Sequence, residues 1–256
     1  MQIIGHRGAR DLAPENTVAG IKFALRRNVD WIEFDVHCTK DGRLVVIHDS
    51  LKRFLRRGSL VRNTTYSELR KFAEAEGQAI ASFESIMRAI GDKAKVDIEL
   101  KNADCAPRVV EEIERQVAEG RSYNDFIVSS MRTSALVATR KLNKRIHLAY
   151  INEFATAFLP FQFLLVQRRV KLYGVVFWSY AAPKSIISLA KRRGLWVAVH
   201  TVNDRPLADK LEKLGVDAII TDRPEEFQNL WPLIWRWLLG LTLLGLLGYI
   251  VWLGLN

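Results

Sequence analysis

The feature that most constrains this chain is its rhythm. Short apolar runs at 3–6, 31–36, 96–101, 126–130, 147–151, 174–178, 196–202 and 218–221 each give way to a segment of helical period. Runs that stay apolar without alternating read as strands buried on both faces, the condition of a parallel sheet covered by helices. The helical segments between them cover 15–28, 82–90, 107–119, 132–142, 154–170, 183–193 and 206–214, with 224–235 after the last strand. Gly91, Gly120, Gly194 and Gly215 close four of them, as helix C-caps do. Eight strand-then-helix units in a chain of 256 residues suit a closed parallel barrel better than an open doubly wound sheet. No dinucleotide-type glycine fingerprint follows the first strand, which also disfavours the open sheet. The predicted class is therefore α/β, a (β/α)8 TIM barrel over 1–228. A small insertion, about 49–81, follows the second strand, and its "TTYSELRKF" predicts one short helix behind a Thr or Ser cap. The last segment, 229–256, differs in character.

That segment is uncharged over residues 237–255, long enough as a helix to reach roughly the thickness of a bilayer core. Trp231, Trp235 and Trp237 gather at one end and Tyr249 and Trp252 near the other, as interfacial belts would. Arg223 and Arg236 precede it and no charge follows. The expectation is a single C-terminal transmembrane anchor, with the barrel held on the cytoplasmic side. The opening "MQIIGHRG" reads as a strand and not as an export signal. Formal net charge is +10, of which the last 26 residues supply only Arg236, so the barrel carries the rest. Such an excess calls for an anionic partner, and with no nucleic-acid motif present a phospholipid surface is expected. Cys38 and Cys105 match no metal spacing and read as free thiols of a reducing compartment. No sequence feature assigns an oligomeric state.

In a parallel barrel, chemistry collects at the C-terminal ends of the strands. His6 and Arg7 end the first run, Glu33 and Asp35 the second, Glu99 and Lys101 the third. Alternation puts Glu33 and Asp35 on one face of their strand. After them "TKDG" supplies Asp41-Gly42, expected as a two-residue hairpin turn. Counting outward from that turn, Thr39 faces Leu44 and Asp35 faces His48. Three carboxylates, Glu33, Asp35 and Glu99, make a hard oxygen donor set for a divalent cation, calcium or magnesium, and a poor one for zinc. Arg7 and Lys101 add the positive charge that a phosphate diester requires. His6 and His48 offer an acid and a base near neutral pH.

The same residues carry a resemblance. "HRG" with "PENT" (14–17), "EFDV" with "TKDG" and "VVIHD", "IELK" (98–101), "TVN" (201–203) and "IITDRP" (219–224) resemble the glycerophosphodiester phosphodiesterase family, in its order, from the first residues to about Glu226. The resemblance implies a TIM-barrel hydrolase that cleaves glycerophosphodiesters to glycerol 3-phosphate and an alcohol with a divalent cation. It implies Glu33, Asp35 and Glu99 as metal ligands, His6 and His48 as acid–base catalysts, and Arg7 and Lys101 as phosphate contacts. His200 stands where the family usually has Trp before "TVN", which removes an indole wall from the substrate site and adds a titratable ring. "IASFES" and "SSM" also depart from the usual pattern, at positions outside the proposed catalytic set. The nucleophile is water or the glycerol 2-hydroxyl. The expected tail, with the apolar stretch "FATAFLPFQFLLVQ" (154–167), brings in a second substrate class, lysophospholipids cleaved by a membrane-anchored lysophospholipase D. A third reading is a membrane-anchored barrel that binds phosphorylated ligands without turnover.

Overall fold

The computed structural model describes residues 1–48, 61–75, 79–152 and 162–227. Met1–Glu226 form one compact unit. Its frame is a ring of eight parallel strands: β1 (Gln2–Gly5), β2 (Trp31–Cys38), β5 (Lys95–Leu100), β6 (Phe126–Ser130), β7 (His147–Asn152), β8 (Gly174–Trp178), β9 (Trp196–His200) and β10 (Ala218–Thr221). The ring closes because β1 pairs in parallel with both β10 and β2. Two short antiparallel strands, β3 (Leu44–Val46) and β4 (Ala81–Ser82), extend from β2. The barrel expected from the rhythm of the sequence is the barrel found.

The helices on its outer face are α1 (Val18–Leu25), α3 (Phe83–Ile90), α4 (Ala106–Ala118), α5 (Thr133–Leu142), α6 (Gln162–Val170), α7 (Lys184–Arg192) and α8 (Arg205–Lys213). Several start later than the apolar pattern suggests, for local reasons. α1 waits for Thr17, whose hydroxyl accepts the Gly20 N–H, because Asn16 sits at φ 57° and cannot belong to a helix. α3 begins after Ser82, which caps Ser85 N–H. In the insertion, α2 (Tyr66–Ala75) starts at Thr65, whose hydroxyl and backbone N–H both pair with Glu68, the capping box that "TTYSE" predicts. Residues 49–60 and 76–78 of that insertion, and 154–161 of the expected 154–170 helix, lie outside the described residues.

The hairpin corrects the expected register. Val36 faces Val46, His37 faces Val45 and Cys38 faces Leu44, one residue off the expected pairing. The loop is three residues, not two. Gly42 N–H donates to Thr39 O, Thr39 N–H donates to Arg43 O, and Gly42 takes φ 75°, a turn closed by a glycine bulge. Ile47, not His48, therefore stands opposite Asp35, its N–H bonding Asp35 O at 3.1 Å.

Strand alternation sorts the barrel interior into layers. Ile4, Trp31, Ile127, Ala149, Ile151, Val176, Trp196, Ala198, Ala218 and Ile220 pack together as an apolar interior. Two residues beyond Trp31 on the same face of β2 comes Glu33, then Asp35. In register on β5, Asp97 stands beside Glu33 and Glu99 beside Asp35. The outward residues of these strands, such as Phe34, meet the helices. Phe34 is fully buried and meets Phe83 of α3 edge-on at 5.7 Å, a burial that contributes about 2–3 kcal/mol.

The expectation of a membrane-anchored protein is corrected. Among the described residues no helix is long and apolar enough to cross a membrane. The 229–256 segment on which the anchor rested lies outside the described residues.

Candidate active site

The turn after β1 builds one wall of the rim. Gly8 takes φ 90°, and a Cβ there would lie 2.7 Å from the Gly20 backbone, so only glycine lets this turn press against the first turn of α1. Arg7 itself adopts φ 50°. The turn aims the Arg7 N–H at Glu33 Oε2, 2.8 Å away, and its guanidinium at Glu15 (3.0 Å) and Asp35 (3.2 Å). Asn16 joins the same knot. Its amide donates to Asp35 Oδ2 at 2.8 Å and its carbonyl oxygen accepts the Asp35 N–H at 3.2 Å. "PENT" is thus the segment that fastens the first loop to the β2 carboxylates.

His6 is held from the other side. Its Nδ1 lies 2.6 Å from Asp222 Oδ1, which leaves Nε2 facing Glu33 Oε2 at 4.0 Å. Asp222 is fixed in turn by Asn203, whose Oδ1 accepts the Asp222 N–H and the Thr221 hydroxyl and whose Nδ2 donates to Asp222 Oδ2. "TVN" and "TDRP" therefore act as one clamp on the His6 ring. On β5, Lys101 Nζ lies 2.7 Å from Asp35 Oδ1 and 2.6 Å from Glu99 Oε1. Both cations expected at the phosphate are engaged with the acidic residues.

One ligand atom each from Glu33, Asp35 and Glu99 lies within 4.8 Å of the others, the spacing of a cation site. The donor set fits a hard divalent ion: all three ligands are oxygens, and the buried Glu33 Oε1 has no hydrogen-bond partner among the described residues. Electrostatics point the same way. Burial, with the repulsion of Asp35 and Glu99, pushes Glu33 well above the usual carboxylate range against the pull of Arg7. Burial raises Glu99 to about 7 despite Lys101. For Asp35, burial is outweighed by Lys101, Arg7 and His48, and the carboxyl is held well below its ordinary value. Two carboxyls raised beside one that is lowered mark a cluster whose crowded negative charge favours a bound cation.

His48 follows β3 at the rim and is close enough to Asp35 to favour its charged form. His200 ends β9, edge-on to His6 at 6.4 Å and to Trp178 at 4.9 Å. Burial of its ring and the charges of His6, Lys101 and Arg7 push it down to about 3, so it is neutral at working pH. Its Nε2 has no hydrogen-bond partner among the described residues. The structure thus brings the expected Glu33, Asp35, Glu99, His6, His48, Arg7, Lys101 and His200 to one end of the barrel. Sequence reasoning missed Glu15, Asn16, Asn203 and Asp222, although each lies inside a quoted motif. It also missed Asp97, whose register beside Glu33 follows from alternation along β5 and whose burial raises it to about 7.

The model of the glycerophosphoryl diester phosphodiesterase family matches residues 6–226. The glycerophosphodiester phosphodiesterase of Caldanaerobacter subterraneus subsp. tengcongensis is 30% identical over 238 residues, covering 89% of this chain and 96% of that protein. YhdW of Bacillus subtilis is 31% identical over 239 residues, 88% of this chain and 96% of its own. Among solved structures, an Oleispira antarctica phosphodiesterase in complex with the product sn-glycerol-3-phosphate superposes with a TM-score of 0.75 at 25% identity, covering 88% of this chain and 94% of that one.

Proposed function

The chain belongs to the glycerophosphoryl diester phosphodiesterase family and is an enzyme of that class; on that premise we propose that it hydrolyses glycerophosphodiesters to glycerol 3-phosphate and an alcohol, with His6 and His48 as the acid–base pair. The observation that carries this reading is the convergence of the Glu33, Asp35 and Glu99 oxygens with a His6 ring whose orientation Asp222 dictates. Glu33, Asp35 and Glu99 would hold a divalent cation, calcium or magnesium, which when bound draws negative charge from the phosphate oxygens.

The protein's own residues do the rest. Asp222, accepting at Nδ1, keeps the His6 proton there and leaves the Nε2 lone pair toward the site. His6 and His48 then exchange roles, one removing the proton of water or of the glycerol 2-hydroxyl, the other returning one to the departing alkoxide. Arg7 and Lys101 keep Asp35 ionised and stand beside the phosphate's place. His200, neutral, forms an aromatic wall with Trp178 in place of a charged contact.

The test is release of glycerol 3-phosphate from glycerophosphocholine with calcium or magnesium, beside a chelator control. His48→Ala is expected to lose about 10²–10⁴ in kcat while keeping its fold. Wild-type turnover in that purified variant would overturn the assignment.

A further inference from the structure

Beside the reaction centre, a cavity of about 370 Å³ is bounded by Arg62, Glu99, Lys101, Asn102, Ser130 and Arg132 among others. It shares Glu99 and Lys101 with the acidic cluster and its salt-bridge partners, so it adjoins the proposed reaction centre. Glu99 and Lys101 are paired with each other. Arg62 and Arg132 are exposed, and neither has a carboxylate partner among the described residues. Glu99 and Lys101 thus satisfy each other on a wall that also holds His37, and two guanidiniums remain. Arg132 also stands at the start of α5, whose first turn is capped by no side chain and so adds the positive end of a helix to the same wall.

Resting on the activity proposed above, the geometry points to this cavity as the subsite for the alcohol arm, selecting diesters whose leaving alcohol carries a negative charge of its own, with Arg62 and Arg132 as specificity-determining residues. The assignment of the arm follows from chemistry. A glycerophosphodiester has two arms, and the glycerol arm is uncharged, so a cationic chamber distinguishes substrates only through the alcohol. The guanidinium fork matches a phosphate or carboxylate on that alcohol, and the general positive charge of the chain favours the approach of such substrates.

Three substrates separate the possibilities: bis(glycerophospho)glycerol, whose leaving alcohol is anionic; glycerophosphoglycerol, the same arm without the second phosphate; and glycerophosphocholine, whose alcohol is cationic. Wild-type kcat/KM is expected to fall in that order, with the spread narrowing as salt is raised. Arg62→Gln/Arg132→Gln is expected to raise KM about five- to tenfold for the first substrate, to leave its kcat unchanged and to leave glycerophosphoglycerol within about twofold. Equal wild-type rates on all three, or an equal loss on all three in the double variant, would overturn the inference. Calorimetric titration of the metal-loaded full chain with a phosphonate analogue of bis(glycerophospho)glycerol reads the cavity without turnover. Weaker binding by the double variant supports the subsite even if no diester is hydrolysed, in which case only the activity fails; unchanged binding refutes the subsite.

Discussion

Replacing Asp222 by Asn acts chiefly on the orientation of the His6 ring, the carboxylate's other charged neighbour being Arg10 at 4.0 Å. Asn is nearly isosteric, keeps an oxygen for the Asn203 network, and does not touch the metal carboxylates. It removes one charge-assisted hydrogen bond, at 2.6 Å between side chains that are 9% and 7% exposed. A bond of this kind is worth about 1.5–3 kcal/mol. If all of it serves to hold His6 in the working tautomer, kcat falls about 10- to 150-fold. The amide can also turn its NH2 toward Nδ1, which moves the ring proton to Nε2 and blocks the base; that adds to the loss. The assay is steady-state hydrolysis of glycerophosphocholine at saturating metal, with circular dichroism for the fold and half-activation by metal as a separate readout. The expected pattern is a lower kcat with little change in metal requirement. A kcat within about twofold of wild type would refute the argument that the ring depends on Asp222. A defect confined to metal affinity would refute it as well.

The proposed cation site carries a pH signature. Glu99 sits at about 7 in the fold against an ordinary 4.5, so the metal-free folded chain holds a proton that the unfolded chain releases. Stability is then greatest below the unfolded value and falls as pH rises toward 7, by about 3 kcal/mol for this group at most. Thermal melts of chelated protein should drop between about pH 4.5 and 7, saturating calcium or magnesium should restore the loss, and Glu99→Gln should flatten the slope. The same protonation predicts weakening metal affinity below about pH 7, read by titration at several pH values. In the first loop, Gly8→Ala forces a β-carbon against the Gly20 backbone at a positive φ, and a destabilisation of about 2–3 kcal/mol is expected in urea unfolding. His200→Ala should change KM for diesters without removing a limb from the pH profile above pH 5, because the ring stays neutral there; a lost limb would contradict its assignment as an uncharged wall.

The parts of the site that were legible in the sequence obey short-range rules. Glu33 and Asp35 share a face because they are two apart on a strand, and Glu99 joins them because β5 lies in register with β2. The helix cap at Thr65 was equally local. Contacts over long sequence distances were not readable: His6 meets Asp222 across 216 positions, and only closure of the ring brings the two together. The hairpin register failed for another reason, since Asp-Gly is compatible with both a two-residue turn and a three-residue loop with a bulge. Stabilisation of Asp35 by Lys101 and Arg7 was invisible as well, because expected phosphate contacts give no hint of their prior attachment to acids. The apolar tail was read by length and composition alone, and those two criteria do not by themselves show where a segment resides.

The layering of the barrel interior has an evolutionary corollary. The acidic groups descend from two adjacent staves, β2 and β5, and the imidazole clamp from the seam where β1 meets β10. Opposite them, β7 and β8 contribute Ala149, Ile151 and Val176 to the interior and no acid. Substitutions among those apolar side chains can therefore accumulate without touching the acidic groups or the imidazole clamp.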